Sequence, residues 1–210
     1  GELLIGASAG IAEFMLPPML GEFNALYPQV RARLIVANSE SIENRVAEPT
    51  LDLGLIEAPS KRSGLTSEIC RADELVVICA PDYPLASLAE VIPKVLVEYE
   101  YISREPGSAT REVTEAYFLK HKVSPDSLKM QMELGSPEAL KGVVATGLGF
   151  AIMASVAVES EVQQGQLVAI PLKPRLKRSV HLIYQQDRFR SRLADTFIKF
   201  AKIKLREIAV

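Results

Sequence analysis

The feature of this chain that most restricts its fold is a junction that occurs four times. In each case a short apolar run with strand character ends in a turn of small, hydroxyl-bearing or glycine residues that opens a predicted helix. The turns are residues 6–10, 38–41, 105–110 and 135–137. Because the first N–H groups of a helix lack partners and its dipole is positive there, four such turns predict a cleft that takes an anion.

The periodicity of apolar residues gives the first half of the chain the order β-α-β-α-β. The predicted strands are residues 3–5, 30–36 and 51–56, with helices between them. Pro17 and Pro18 should kink or restart the first helix. The alternation in residues 30–36 indicates a strand with at least one well-packed face. This order is typical of parallel strands with helices on both faces.

The rest of the first half contains two more predicted strands, residues 65–70 and 74–79, before Pro81 and Pro84 break the pattern. The second half repeats the same order. Its predicted strands are residues 100–103, 129–134, 149–153, 167–170 and 178–184. Its predicted helices are residues 110–120, 137–146, 155–163 and 191–208. Gly147 is expected to end the second of these helices.

The last helix determines the predicted domain organisation. Its apolar face needs a lobe to cover, and the second lobe already has helices of its own. The face consists of Leu193, Phe197, Ala201, Leu205 and Ile208. We therefore expect an α/β fold of two Rossmann-like lobes joined by two crossing strands. Lobe I would be residues 1–80 with 184–210, and lobe II residues 81–183.

Composition limits the classes of function. The formal charge of −2 and the lack of a Lys/Arg run argue against direct contact with DNA. No apolar stretch reaches the ~20 residues that cross a bilayer, and no signal peptide opens the chain, so we expect a cytoplasmic protein without membrane contact. Gly1 leads directly into a strand, which is expected of a piece of a longer protein. Cys70 and Cys79 are interpreted as buried free thiols, although a disulfide stays open.

Several motifs together resemble a known family by their order and spacing along the whole chain. The segments are Leu-Leu-Ile-Gly-Ala-Ser (residues 3–8), Leu-Asp-Leu-Gly-Leu-Ile (51–56), Val-Val-Ile-Cys-Ala-Pro (76–81), Ile-Ser-Arg-Glu-Pro-Gly-Ser-Ala-Thr-Arg (102–111) and Val-Ala-Thr-Gly-Leu-Gly (144–149). The chain resembles the effector-sensing domain of a LysR-type transcriptional regulator. Residues 104–111 resemble the branch that controls carbon fixation and sulfur or cysteine metabolism.

The resemblance implies a type 2 periplasmic-binding-protein-like fold with a small, anionic inducer between the lobes. It also implies a homodimer or homotetramer and a contact with RNA polymerase. DNA would be bound only through an N-terminal winged helix-turn-helix that this chain does not include. No cofactor and no metal is expected, because no metal-spaced Cys/His cluster or nucleotide-binding glycine motif is present.

The candidate ligand-binding residues follow from the four turns, because ligands of open parallel sheets lie beyond the carboxyl ends of the strands. They are Ser8, Ala9, Gly10, Asn38 and Ser39 on one lobe and Ser103, Arg104, Gly107, Ser108, Thr110, Gly135 and Ser136 on the other. The alternative for each serine is that it only caps its own helix. Arg104 and Arg111 could bind an anion or pair with nearby carboxylates, and Glu57 could receive an amine or a hydroxyl.

Two other functions are compatible with parts of this pattern. A solute-binding protein of a transporter would share the fold and the cleft. Residues 6–10 also match the G-x-S-x-G turn of serine hydrolases, with Ser8 as nucleophile. That turn needs an oxyanion donor from an earlier strand, and almost nothing precedes residue 3. The only bases available, His121 and His181, are expected to be structural, so we do not expect an enzyme.

Overall fold

The structure is a computed structural model that describes residues 1–186 and 189–207. The chain forms two compact units. Unit 1 comprises Gly1–Ala72 together with the chain from Ser179 onward, and unit 2 comprises Asp73–Arg178. The fold is of the mixed α/β class, as the strand–helix alternation predicts.

Unit 1 is built on parallel strands joined by helices. Its elements are β1 (Glu2–Ala7), α1 (Ala9–Phe14), α2 (Leu16–Leu26), β2 (Arg31–Val36), α3 (Ser39–Ala47), β3 (Leu53–Ile56) and α8 (Arg192–Glu207). Two long strands, β4 (Leu65–Cys79) and β8 (Val168–Gln185), contribute residues to both units.

The predicted β-α-β-α-β order is confirmed. Strand β1 pairs in parallel with both β2 and β3, so that Ala7 lies opposite Val36 on one side and Leu55 on the other. Strand β8 continues the sheet antiparallel to β3, with His181 opposite Ile56. The carboxyl ends of β1, β2 and β3 therefore lie at one edge of the unit 1 sheet.

Helices cover both faces of the unit 1 sheet because each has an apolar side. The first helix is interrupted at Met15, and Pro17 and Pro18 fall in the first turn of α2, where a missing N–H is harmless. Phe23 of α2 meets Phe197 of α8 edge-on, with ring centroids 5.0 Å apart. Helix α3 packs apolar side chains on the other face, in a cluster of Ile42, Val46, Leu51, Ile56 and Ile183.

Three predictions about strands are wrong. Residues 65–79 form one strand instead of two, because the polar side chains of Arg71 and Asp73 are buried within it rather than forming a turn. Residues 168–185 are also one strand. Strand β2 has no well-packed face, since it pairs only with β1 and each of its residues is exposed or partly buried.

Unit 2 repeats the alternation. Its elements are α4 (Pro93–Leu96), β5 (Glu100–Arg104), α5 (Ala109–Lys120), β6 (Lys129–Leu134), α6 (Pro137–Ala145), β7 (Ala151–Ala154) and α7 (Glu159–Gln163). Strands β5 and β6 are parallel, and β7 is antiparallel to β4. Gly147 follows α6 with φ of +87°, a conformation that favours glycine, and ends that helix as predicted.

Cys70 and Cys79 are buried free thiols, as predicted. Both lie on β4, and nine residues of extended strand separate them by about 30 Å, which is too far for a disulfide. In the part of the chain that the structure describes, no helix is both long and apolar enough to cross a membrane.

Candidate functional site

Two serine hydroxyls at the carboxyl edge of the unit 1 sheet are buried without a partner. Ser8 follows β1 and holds the N-cap position of α1, but its side chain makes no cap hydrogen bond. Ser39 is the first residue of α3. The two residues are 6% and 5% exposed, and neither hydroxyl has a hydrogen-bond partner among residues 1–186 and 189–207. Because most buried polar groups are hydrogen-bonded, these two exceptions require an explanation.

Arg71 is another buried group of unit 1 with unpartnered atoms, and it is not among the residues that the sequence predicts for the site. It is 8% exposed, and its Nε and Nη1 have no hydrogen-bond partner within the described chain. No sequence signal marks it, because Glu68, Asp73 and Glu74 are charged residues of the same strand. A charged residue is rarely buried unless it is paired.

The register of the sheet places Arg71 at the same edge. Strand β4 lies next to β8, and the Leu182 backbone lies close to the thiol of Cys70. Leu182 is the register partner of Leu55, near the end of β3. Arg71 is the next residue of β4, so it lies level with the carboxyl end of β3.

The face of the sheet on which Arg71 lies follows from strand alternation. Ser67 Oγ is 3.3 Å from Nδ1 of His181, and His181 lies opposite Ile56, which packs against α3. Arg71 comes four residues after Ser67 on the same strand and therefore points to the same face. This is the face that α3 covers, and Ser39 begins that helix.

A carboxylate lies at the start of α1. Glu57 is buried, and a Cβ atom placed on Gly10 would lie 2.8 Å from its Oε1, so a larger residue at this position would require the end of the Glu57 side chain to shift. Ala9 and Gly10 are partly buried.

Asn38 has a structural role. Its Oδ1 accepts a hydrogen bond from the Ser41 backbone N–H at 3.0 Å, which caps α3. Because Asn38 caps α3, the hydroxyl of the following residue, Ser39, is not used for capping and has no hydrogen-bond partner among the described residues.

The predicted residues of the third junction lie together in unit 2. Ser108 caps α5 by accepting from the Arg111 backbone N–H at 3.3 Å. Gly107 has φ of +90°, which explains the glycine before that cap. Ser103 donates to the Arg104 carbonyl at 3.0 Å, and the Arg104 guanidinium pairs with Glu105 at 2.8 Å.

The remaining predicted residues of unit 2 are also engaged by protein groups. Thr110 Oγ1 accepts from Arg178 Nη1 at 2.7 Å. Ser136 caps α6 by accepting from the Ala139 N–H at 3.1 Å, and Gly135 before it is exposed. The pairing of Arg104 with a carboxylate is the alternative that the sequence left open for it.

Arg111 is held by two carboxylates, those of Glu115 and Glu133. Burial alone would lower the pKa of the Arg111 guanidinium, but the hydrogen bonds to Glu133 and Glu115 outweigh it and raise that pKa. Its charge is therefore already compensated by protein groups, and its role toward a ligand stays a prediction.

A serine hydrolase with Ser8 as its nucleophile would need a base next to that hydroxyl, and neither histidine provides one. His181 contacts Ser67, and His121 packs on the ring of Tyr117 with centroids 4.5 Å apart. The Ser8 hydroxyl has no partner among the described side chains, so nothing there activates it as a nucleophile. The same residues contain no group of three or more side chains that could hold a metal ion.

Comparison with known proteins gives a family match over nearly the whole chain. Residues 1–206 match the LysR substrate binding domain family. The chain is 35% identical over 202 residues to the "Uncharacterized HTH-type transcriptional regulator YeiE" of Escherichia coli (strain K12), covering 95% of this chain and 67% of that protein. It is 32% identical over 203 residues to a "Probable RuBisCO transcriptional regulator" of Synechocystis, covering 95% and 59%.

Solved structures show the same fold. The Synechocystis PCC6803 CcmR regulatory domain, solved in complex with 2-PG, superposes with a TM-score of 0.91 at 27% identity over the whole of both chains. The effector binding domain of QuiR, solved with shikimate, gives a TM-score of 0.89 at 17% identity, covering 100% of this chain and 99% of that one. The fold is therefore the type 2 periplasmic-binding-protein-like fold of these domains.

Proposed function

Because the chain belongs to the LysR-type family of transcriptional regulators, as their substrate-binding domain, we propose that its unit 1 binds a small polar effector through Ser8 and Ser39. The observation that carries the proposal is the pair of buried hydroxyls without partners. A buried polar group left unpaired destabilises the fold, and a ligand that bonds both hydroxyls would remove that penalty.

The capping alternative does not account for these two serines. Ser108 and Ser136 accept hydrogen bonds from their own helices, as caps do. Ser8 makes no such bond, and in the α3 junction the cap is Asn38. The two hydroxyls of unit 1 are therefore the ones available to a ligand.

The chemistry of the effector is proposed from relatives and from the site. The CcmR domain was solved with 2-PG and the QuiR domain with shikimate, and both ligands carry acidic groups. We propose an anionic metabolite for this chain as well. The matches to transcriptional regulators disfavour the alternative function, a transporter's solute-binding protein. No feature of the described part of unit 1 supports that alternative.

The other partners are also proposals. This chain spans 59–67% of the length of the relatives it matches. We propose that DNA is bound by the remainder of such a protein, because this domain has a formal charge of −2. A contact with RNA polymerase and a location in the cytoplasm stay predictions.

Each unit has exposed apolar side chains that a second copy of the chain could cover. In unit 1, Leu26, Tyr27 and Val36 are 61%, 38% and 49% exposed. In unit 2 the exposed apolar residues include Leu119 on α5 and Met130 and Met132 on β6. Burial of these side chains in a homodimer would stabilise it, whereas a homotetramer stays a prediction without further support.

Calorimetry tests the unit 1 site. The wild-type protein is screened with 2-phosphoglycolate, shikimate, inorganic sulfate and inorganic phosphate, and the tightest binder is titrated into Ser8→Ala and Ser39→Ala. We expect each variant to bind about tenfold more weakly, the loss of one hydrogen bond to a charged ligand. Ser63→Ala, an exposed serine of the same unit, should bind as the wild type does. Unchanged affinity in both site variants would remove Ser8 and Ser39 from the binding site.

A further inference from the structure

We infer that Arg71 binds the charged group of the effector and that the effector is therefore an oxyanion, a carboxylate, phosphate or sulfate. The inference rests on the proposed function of unit 1 and adds to it the chemical class of the ligand and the residue that selects it. Arg71 is not among the residues that the sequence pointed to.

The burial of the Arg71 guanidinium without a counter-charge is unfavourable in free energy. A guanidinium cannot lose its proton at physiological pH, so its charge must be compensated by a partner. Arg71 is more than nine-tenths buried, and its Nε and Nη1 have no hydrogen-bond partner in the described part of the chain. An isolated buried charge is strongly unfavourable, so the position makes sense if a ligand supplies the counter-charge.

Two acidic side chains of unit 1, Glu43 and Glu68, are bound by groups other than Arg71. Glu43 accepts from Ser60 Oγ and from the Lys61 N–H, both at 2.7 Å. Glu68 accepts from Tyr184 at 2.9 Å and pairs with Lys202 at 3.0 Å.

The two other acidic side chains near the end of these strands are also accounted for. Glu57 lies against Gly10 at the start of α1. Asp73, the next acidic residue on β4, pairs with Arg178 at 3.7 Å within unit 2. The Arg71 guanidinium thus retains donors that these carboxylates do not use.

The position of Arg71 relative to Ser8 and Ser39 also supports a role in ligand binding. All three residues lie at the carboxyl edge of the unit 1 sheet, and Arg71 lies on the face covered by α3, which begins at Ser39. An oxyanion accepts two parallel hydrogen bonds from a guanidinium and still has lone pairs for a hydroxyl donor. Arginine and serine side chains at one sheet edge therefore form a donor set for a ligand with at least one oxyanion and further polar oxygens.

The start of α1 is a poorer place for the anion. The helix has only six residues, and the Glu57 side chain already lies against its first turn. A ligand oxyanion at Arg71 would instead meet a buried cation whose Nε and Nη1 have no hydrogen-bond partner among the described residues. The charge of the ligand is therefore assigned to Arg71 and its polar oxygens to the serines.

The inference gives an unusual expectation for folding stability. Arg71→Met removes an uncompensated buried charge and keeps most of the side-chain volume, so the ligand-free variant should melt about 2–4 °C higher than the wild type. Arg178→Met is the matched control, because Arg178 is equally buried but bonds Thr110 and Asp73. That variant should melt lower, since it leaves buried partners unpaired.

Binding is tested with the same variants. We expect Arg71→Met to bind 2-phosphoglycolate or shikimate, whichever is tighter, at least about 100-fold more weakly than the wild type. Arg71→Lys keeps the charge but loses the planar fork and should bind about tenfold more weakly. Arg206→Met removes an equal charge from an exposed position of α8 and should leave affinity unchanged. Methyl shikimate, which lacks the carboxylate, should not bind the wild type measurably.

The outcomes separate this inference from the proposed function. Wild-type affinity in Arg71→Met, with weaker binding in Ser8→Ala and Ser39→Ala, overturns the role of Arg71 and leaves the serine site standing. Loss of binding only in Arg71→Met, with wild-type affinity in both serine variants, overturns the serine site and leaves the role of Arg71 standing. A drop in melting temperature for ligand-free Arg71→Met, comparable to that of Arg178→Met, would show that Arg71 is a structural residue and overturn the inference. Equal binding of methyl shikimate and shikimate, or no binding of any oxyanion, would also overturn it.

Discussion

Single residues of unit 1 show how burial changes the chemistry of a polar side chain. His181 lies in β8 and is 6% exposed, with its Nδ1 3.3 Å from the Ser67 hydroxyl. Burial lowers the pKa of its imidazole below the ordinary value of 6.5. The neutral form is therefore the one that the folded state favours, and the histidine has a structural role here.

This shift predicts a pH-dependent stability. As the pH falls below about 6.5, the unfolded chain takes up a proton at His181 before the folded chain does, so the free energy of unfolding decreases. The stability that neutral His181 contributes is fully present above pH 6.5 and is lost as the pH falls toward the lowered folded-state pKa. Thermal melts of the wild type and of His181→Gln between pH 8 and 5 measure this difference. The variant should lose less stability over the interval, and parallel curves would contradict the prediction.

At the scale of secondary-structure elements, the four helix starts differ in how their polar side chains are used. Ser108 caps α5, Ser136 caps α6 and Asn38 caps α3, whereas the hydroxyls of Ser8 and Ser39 have no hydrogen-bond partner among the described residues. The sequence treats these serines alike because the residue types and their positions after strands are alike. The distinction depends on side-chain geometry.

The different uses predict different mutational effects. Ser108→Ala and Ser136→Ala should each lower the free energy of unfolding by about 1 kcal/mol, the ordinary loss of an N-cap. Ser8→Ala and Ser39→Ala should leave it unchanged or raise it slightly, because they remove buried hydroxyls that have no partner. Urea denaturation of the four variants without ligand measures these values. Equal destabilisation by all four would mean that Ser8 and Ser39 are structural after all.

Element boundaries could be predicted closely where turn signals are strong. Gly147 and the prolines of α2 mark helix ends and starts because their backbone preferences act locally. The continuity of β4 and β8 could not be predicted, because Arg71 and Asp73 look like loop residues until their burial is known.

At the scale of the whole molecule, exposed apolar side chains of α2 and β2 predict self-association. Strand β2 pairs only with β1 in the described sheet, and Val36 at the end of β2 and Leu26 at the end of α2 remain exposed. An edge strand with apolar side chains is a place where another chain can pack.

Light scattering tests this association. Leu26→Glu with Val36→Glu should shift the protein from dimer to monomer, because both substitutions place charge in the contact. Ile203→Glu, on an α8 residue that is 58% exposed, is the control and should leave the dimer intact. A wild-type protein that is monomeric at high concentration would contradict the homodimer.

The predicted division of the chain into lobes at residues 80 and 184 is a separate prediction.

The sequence by itself determined the α/β class, the parallel order of the first three strands, the helix starts and the family. These follow from local preferences and from periodicity, which each segment carries with it. It also identified Ser8 and Ser39 as candidate ligand residues, though among many others.

Only the tertiary structure decided which polar groups are satisfied. Whether a hydroxyl or a guanidinium has a partner depends on residues distant in the chain, as Arg178 bonds Thr110, which lies 68 residues away. Burial likewise results from packing between strands that are far apart in sequence. For this reason Arg71 appears in the sequence as one charged residue among many, and in the structure as a buried cation whose Nε and Nη1 have no hydrogen-bond partner among the described residues.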